Sequence, residues 1–243
     1  MTHLSVNLNA VAQLRNRRNL SYPSVTGIAR MVLDAGADGI TVHPRPDERH
    51  IRRTDVFDLE SLLRAEYPDA EYNIEGYPSP EFLDLVEQAG PDQVTFVPDD
   101  PSQATSDHGW DIRAGADVLE PALARMRAAG IRISLFIDED PNVPPLAKAI
   151  GADRVELYTG PFGATHGTAE GDTHLALLAT TAGAAHASGL IVNAGHDLSL
   201  HNLPQFMDAM PEIAEVSIGH AITSDALLMG FPEAVRRYKA VLR

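Results

Sequence analysis

The chain contains ten histidines, no cysteine and only two lysines, Lys148 and Lys239. The absence of cysteine excludes a thiolate nucleophile, a zinc–thiolate site, an iron–sulfur cluster and a disulfide framework. Both lysines fall in helical patterns away from any strand end, which argues against a Schiff-base mechanism. Proton transfer by imidazole and carboxyl groups remains. His43, His196 and His220 each follow a short apolar run, and Glu75 ends another. Histidine titrates near neutrality, so His43 and His196 suit proton exchange with a carbonyl or hydroxyl on opposite faces of a substrate. A Glu75 withdrawn from water would have a raised pKa and could act as a base near pH 7. One such residue alone is more often a satisfied polar group than a catalyst, so the case rests on several occurring at equivalent positions.

Two glycine turns, NAGHD at 193–197 and IGHA at 218–221, follow the seventh and eighth runs. Glycine lets backbone N–H groups approach an anion, and a Ser or Asp in the following ITSDALL is expected to start a helix there. The plainer reading of these turns is tight geometry alone. A second anion site would combine the guanidinium forks of Arg18 and Arg45 with His50, although arginines in this stretch also fit a solvated face. Two anion sites imply two phosphorylated substrates. His166, His174, His186 and His201 are expected on helices or outer loops, and His108 lies in a polar loop, TSDHGWD, that could form a lid. A divalent metal is the main competitor for such a cluster, but H-E-x-x-H and H-x-H are absent and none is expected.

The elements that must position these groups follow one rhythm. Eight Val- and Ile-rich runs at 4–8, 39–43, 71–75, 93–97, 132–138, 154–159, 190–194 and 215–219 predict strands separated by amphipathic helices. The phrases DAGADGI, AAGIRI, AIGADRV and ASGLIV place a helix-ending glycine a few residues before a strand. Repetition without a linker over residues 1–243 predicts one domain, a (β/α)8 TIM barrel with parallel strands. An open doubly wound sheet would call for a glycine-rich dinucleotide fingerprint, and the chain carries neither G-x-G-x-x-G nor G-x-x-x-x-G-K-[ST].

Barrel chemistry sits at the C-terminal strand ends. Those positions hold Asn7 and Asn9, His43 and Arg45, Glu75, then Asp99, Asp100 and Thr105, followed by Asp138, Glu156, Asn193 and His196, and Gly219 with His220. The formal net charge of −15 argues against nucleic-acid binding. No run approaches the ~18 apolar residues of a membrane span and no signal-like segment opens the chain, so a cytoplasmic location is expected. The residues alone leave three functions open: an acid/base synthase on two phosphates, another sugar-phosphate isomerase or aldolase, and a silent phosphometabolite-binding barrel.

The segments VNLNAVAQLRN, AGADGITVHPRPDERHI, NIEG, VPDDPSQATSDHGWD, ISLFID, RVELYTG, VNAGHDLSLHNL and EVSIGHAI resemble the pyridoxine 5′-phosphate synthase family of vitamin B6 biosynthesis, in order, over residues 4–242. The resemblance implies condensation of 1-deoxy-D-xylulose 5-phosphate with 3-amino-2-oxopropyl phosphate to give pyridoxine 5′-phosphate, phosphate and water. It implies a ring-closing transferase with no metal or organic cofactor, no nucleic-acid or membrane partner, and a homo-oligomer, since similar proteins form octamers. By the same resemblance His43 and Glu75 are general bases and His196 a general acid. Asn7, Arg18, Arg45, His50 and Thr105 bind the pentulose phosphate, Glu156 assists near the amine, and Gly219 with His220 bind the amino-ketone phosphate. The chain departs from the family pattern where Asn9 and Ala10 replace Asp-His, where Asp197 replaces Gly, and in the loop GPFGATHG, so Asn9 and Asp197 are carried as substrate-contact positions.

Overall fold

The computed structural model describes residues 1–18, 20–99, 103 and 105–242; Asp100, expected at a strand end, lies outside the described residues. Eight strands close a parallel barrel in sequence order: β1 (His3–Asn7), β2 (Gly39–Val42), β3 (Glu71–Gly76), β4 (Gln93–Phe96), β5 (Arg132–Ile137), β6 (Arg154–Tyr158), β7 (Ile191–Gly195) and β8 (Glu215–Ile218). β8 returns to β1 with His3 opposite Glu215 and Val6 opposite Ile218. Each bound lies within one residue of its sequence expectation.

The outer ring is formed by α2 (Val25–Asp34), α3 (Arg53–Glu66), α4 (Pro80–Ala89), α5 (Ala116–Ala128), α6 (Val143–Ala149), α8 (Ala169–Ala187), α9 (Leu203–Ala209) and α11 (Phe231–Val241). Three further helices follow strand ends: α1 (Asn9–Asn16) after β1, α7 (Gly160–Thr165) after β6 and α10 (His220–Met229) after β8. The repeated glycine phrases do what their chemistry dictates. Gly36, Gly130, Gly151 and Gly189 adopt φ of +105°, +74°, +96° and +74°, ending α2, α5, α6 and α8 in the region that costs glycine least. The acids beside them tie the barrel floor, where Asp38, Asp92 and Asp153 accept the N–H groups of Leu4, Tyr72 and Ile133 at 2.7, 2.8 and 2.9 Å.

Alternation along the strands divides the interior in two. Leu4, Val6, Ile40, Val42, Ile74, Val94, Phe96, Ile133, Leu135, Val155, Leu157, Val192 and Val216 are fully buried between sheet and helices, and that shell is the main hydrophobic core. The other strand face lines a polar lumen. Ser5 and Thr41 hydroxyls meet at 2.7 Å, Asn73 donates to Thr41 at 3.3 Å, and Thr95 donates to Asn73 at 3.0 Å. Such barrels usually fill the lumen with branched apolar side chains. Here its buried polar groups bond one another across strands, which offsets their desolvation.

Candidate active site

The C-terminal end of the lumen opens into a cavity of about 240 Å³, walled by residues from all sides of the barrel. Of the sequence-predicted positions, Asn7, Asn9, His43, Arg45, His50, Glu75, Thr105, Glu156, His196, Asp197, Gly219 and His220 line it. Arg18 does not. It is exposed in the turn after α1, because that helix runs to Asn16 along the rim before the chain turns away. Ala10, noted in the sequence as a departure, also lines it, and Gln13, Ser106, Leu198, Ser217, Ile218 and Ala221 complete the wall without having been singled out, most of them small or aliphatic residues that give no chemical signal.

Three strand ends are stitched together by amides. Asn7 donates from Nδ2 to Glu75 Oε2 at 3.3 Å, and its Oδ1 accepts the Asn9 N–H at 2.9 Å. Asn9 in turn accepts the His43 N–H at 2.9 Å, so the start of α1, just past β1, fixes the backbone that carries the imidazole. His43 Nδ1 lies 4.0 Å from Glu75 Oε2, with both side chains buried. Burial pushes the Glu75 carboxyl up to about 8, reinforced by the nearby Asp99 carboxylate and opposed by Arg45 and the Asn7 donor. Burial, the Arg45 cation and His50 hold His43 well below the ordinary imidazole range.

Opposite these, His196 follows β7 in a left-handed conformation with φ of +74°, and Asp197 repeats it at +55°. Consecutive non-glycine residues there need external support. Thr159 supplies it, donating its hydroxyl to the Gly195 carbonyl at 2.7 Å and also to the His196 carbonyl, while Asn202 donates to the Asp197 carbonyl at 2.8 Å. The imidazole packs on Phe136 and Tyr158 at centroid distances of 4.8 and 5.6 Å. Burial lowers it to about 4, against the opposing charge of Asp197, and its Nδ1 is buried without a partner.

Glu156 stands at the cavity floor, 1% exposed, with Oε1 unpartnered. Burial first, then the Glu75 and Glu215 carboxylates, raise it well above the usual carboxyl range. Gly195 makes room for it, since a Cβ there would lie 2.3 Å from Glu156 Oε1. Beside His43, Arg45 is buried and donates to Asp99 Oδ2 at 2.5 Å and to the Gln103 carbonyl at 3.2 Å. Ser106 also donates to Asp99, at 2.7 Å. Asp99 is visible in the sequence as a strand-end acid, but its partner Arg45 is 54 residues away.

The phosphate-type turn after β8 differs in one respect from expectation. α10 begins at His220 with Gly219 as N-cap, not at the Ser or Asp of ITSDALL, so the free N–H groups of its first turn include those of His220 and Ala221, two residues that line the cavity. Gly219 fits because a Cβ would press on Asn7 at 3.0 Å. Elsewhere, His174 and His186 lie on α8, while His166 and His201 meet edge-to-face at 4.8 Å beyond β6 and β7. His108 is exposed and pairs with Asp107 at 2.7 Å. Among the described residues no three His, Cys, Asp or Glu side chains converge to hold a metal ion.

A family profile described as "Pyridoxal phosphate biosynthesis protein PdxJ" matches residues 4–243. The chain belongs to the PdxJ family. Curated relatives named pyridoxine 5′-phosphate synthase include those of Brucella abortus (strain S19), 60% identical over 240 residues and 98% of each chain, and Brucella anthropi, 58% identical over the same share. Solved structures show the same fold at far lower identity. Tryptophan synthase from M. tuberculosis aligns with a TM-score of 0.68 at 14% identity, covering 100% of this chain and 92% of that one. Thiamine phosphate pyrophosphorylase from Pyrococcus furiosus gives 0.61 at 14% identity, covering 99% and 95%.

The departures from the PdxJ pattern now have positions. Asn9 spends its carbonyl oxygen on the His43 backbone, a contact an aspartate could make equally, and Ala10 leaves open wall on α1. Asp197 occupies a left-handed position, the kind of backbone that suits the glycine the family resemblance leads one to expect there. Its carboxylate stands at the cavity rim beside His196. Among the described residues no helix is long and apolar enough to cross a membrane.

Proposed function

We propose that this barrel is a pyridoxine 5′-phosphate synthase, a ring-closing transferase that condenses 1-deoxy-D-xylulose 5-phosphate with 3-amino-2-oxopropyl phosphate and releases phosphate and water. The observation that carries the reading is that His43 and Glu75, both buried, and the half-buried His196, from three different strand ends, converge on one cavity. The substrate amine adds to the pentulose ketone, and His43 and Glu75 remove protons during dehydration, phosphate loss and ring closure. His196 protonates departing oxygen, and Glu156 accepts the amine by hydrogen bonding.

The electrostatics of the empty cavity fit this division. A Glu75 carboxyl poised near 8 changes charge close to working pH, where an acid/base group is most effective. Both imidazoles are neutral before substrate arrives. His43 is then ready to accept a proton. Two dianionic phosphates entering the mouth favour imidazolium, and this would recharge His196 as an acid. The α10 N-terminus at Gly219 and His220 suits the amino-ketone phosphate, and Arg45, His50 and Thr105 suit the other, with Arg45 exchanging Asp99 for phosphate. Leu227 and Leu228 on α10 are 75% and 87% exposed, which supports a homo-oligomer.

Incubation with both phosphates and mass detection of pyridoxine 5′-phosphate tests the reading. Product that requires both substrates is expected. Conversion of either phosphate alone would replace the reading with an isomerase or aldolase.

A further inference from the structure

Loop 43–52, between β2 and α3, carries Arg45 and His50 but has no helix or strand of its own. Its geometry is set from another element, the last turn of α1. Asn16 Nδ2 donates to the carbonyls of Glu48, Arg49 and His50 at 3.2, 3.2 and 2.7 Å. Arg15, 6% exposed, donates to the His50 carbonyl at 3.1 Å and forks onto Asp55 at 2.5 and 2.9 Å. Asp55 also accepts the Arg52 N–H at 2.7 Å, so the carboxylate that holds Arg15 caps α3. Asn16 is locked in turn by Arg15 Nε, which donates to its Oδ1 at 3.0 Å.

Three successive carbonyls gathered on one amide are an uncommon use of a side chain. They point inward because Glu48 adopts φ of +51°, which bends the loop back over α1. The consequence reaches the His50 ring. Its Nδ1 accepts the Ile51 N–H at 2.9 Å, which puts the proton of the neutral imidazole on Nε2. Burial and the Arg45 and Arg49 cations lower this histidine to about 4, so it is neutral at pH 7. The ring lines the cavity with its centroid 6.0 Å from that of His43.

We propose that Arg15 and Asn16 are positioning residues for one of the two phosphate subsites: by holding the carbonyls of residues 48–50 they aim the His50 Nε2–H at a phosphate oxygen of the pentulose substrate. This rests on the reading of His50 as a phosphate ligand. Preorganisation of this kind acts on binding of one substrate and leaves the proton-transfer groups on β2, β3 and β7 where they are.

Steady-state kinetics of Asn16→Ala with each substrate varied in turn tests it. Losing the three loop contacts is expected to raise KM for 1-deoxy-D-xylulose 5-phosphate about tenfold. KM for the amino-ketone phosphate and kcat should stay within about twofold, the change that tracks only distal effects. In a His50→Ala background the Asn16 substitution should add nothing further, because the residue acts through that ring. Equal rises in both KM values, full additivity with His50→Ala, or a lowered melting temperature with unchanged KM would each overturn the proposal. If Asn16→Ala does not fold, Asn16→Ser provides the same readings. Calorimetric titration with inorganic phosphate reads the subsite without turnover: weaker binding by the Asn16 variant supports the proposal and equal binding overturns it, even if the wild type yields no product from the two substrates.

Discussion

The two ends of the lumen are built from the same residue types and behave differently. At the floor, Arg132 meets Glu71 at 2.5 Å and Arg154 meets it at 3.6 Å. Arg154 also donates to Asn193 at 3.3 Å, which donates to Glu215 at 3.4 Å. At the mouth Glu75, Glu156 and His43 are buried and His196 is half-buried, with one long His–Glu approach of 4.0 Å, and Glu156 Oε1 and His196 Nδ1 have no partner. The use of arginine marks the difference. At the floor Arg132 and Arg154 lie against Glu71, whereas at the mouth Arg45 is held on Asp99 and the Glu75 and Glu156 carboxyls shift toward neutrality.

The largest expected effect is at the mouth. Glu75→Gln should lower kcat by about 10²–10⁴ with little loss of stability. In the wild type the base form of Glu75 grows as pH rises through about 8, so kcat/KM should climb on that limb and the variant should lack it. A pH–rate profile retaining the limb in the variant would break the contrast. At the floor, Arg154→Met removes one of the two cations beside Glu71 and the one opposing the buried Glu215, and should cost about 3 kcal/mol in denaturant unfolding while kcat stays near wild type. A catalytic loss without destabilisation would instead assign the floor to the chemistry.

The smallest effect refines the comparison within the floor itself. Glu215 is buried beside Glu71 and pushed up to about 8 despite Arg154. Its folded pKa exceeds the ~4.3 of an unfolded glutamate, so the fold holds a proton whose stabilisation is complete below that value and is lost as pH rises through about 8. Glu215→Gln should therefore melt above wild type at pH 8.5 and equal it near pH 4. Parallel melting curves at both pH values would show that the floor arginines already neutralise Glu215.

Much of this was legible in the chain. The glycine phrases mark helix ends whose left-handed φ values are local properties, and the alternation in GITVH, EYNIE and QVTFV already separates core-facing from lumen-facing residues. Strand-end position brought ten of the site residues to the cavity because a parallel barrel places every strand's C-terminus on one face, with His50 and Asp197 joining from the loops that follow; Asp99, Asp138 and Asn193, also expected at strand ends, do not line it. Arg18 failed that logic, since it follows a helix along the rim rather than a strand end. The start of α10 was misplaced for a related reason. A glycine N-cap offers its free backbone N–H groups without any side-chain signature, whereas Ser224 and Asp225 carry the signature and lie inside the helix.

The sequence by itself determined the architecture, the absence of thiolate chemistry and the set of candidate titratable groups, because periodicity, turn chemistry and residue inventory are properties of the chain. The tertiary structure alone decided which of those groups are charged and which are aimed. The Arg45–Asp99 pair spans 54 residues, the Asn16 hold on His50 spans 34, and the space for Glu156 depends on Gly195 of the neighbouring strand. Desolvation and Coulomb terms fall off over a few ångströms, so they are set by what closure of the barrel brings together and not by spacing along the chain.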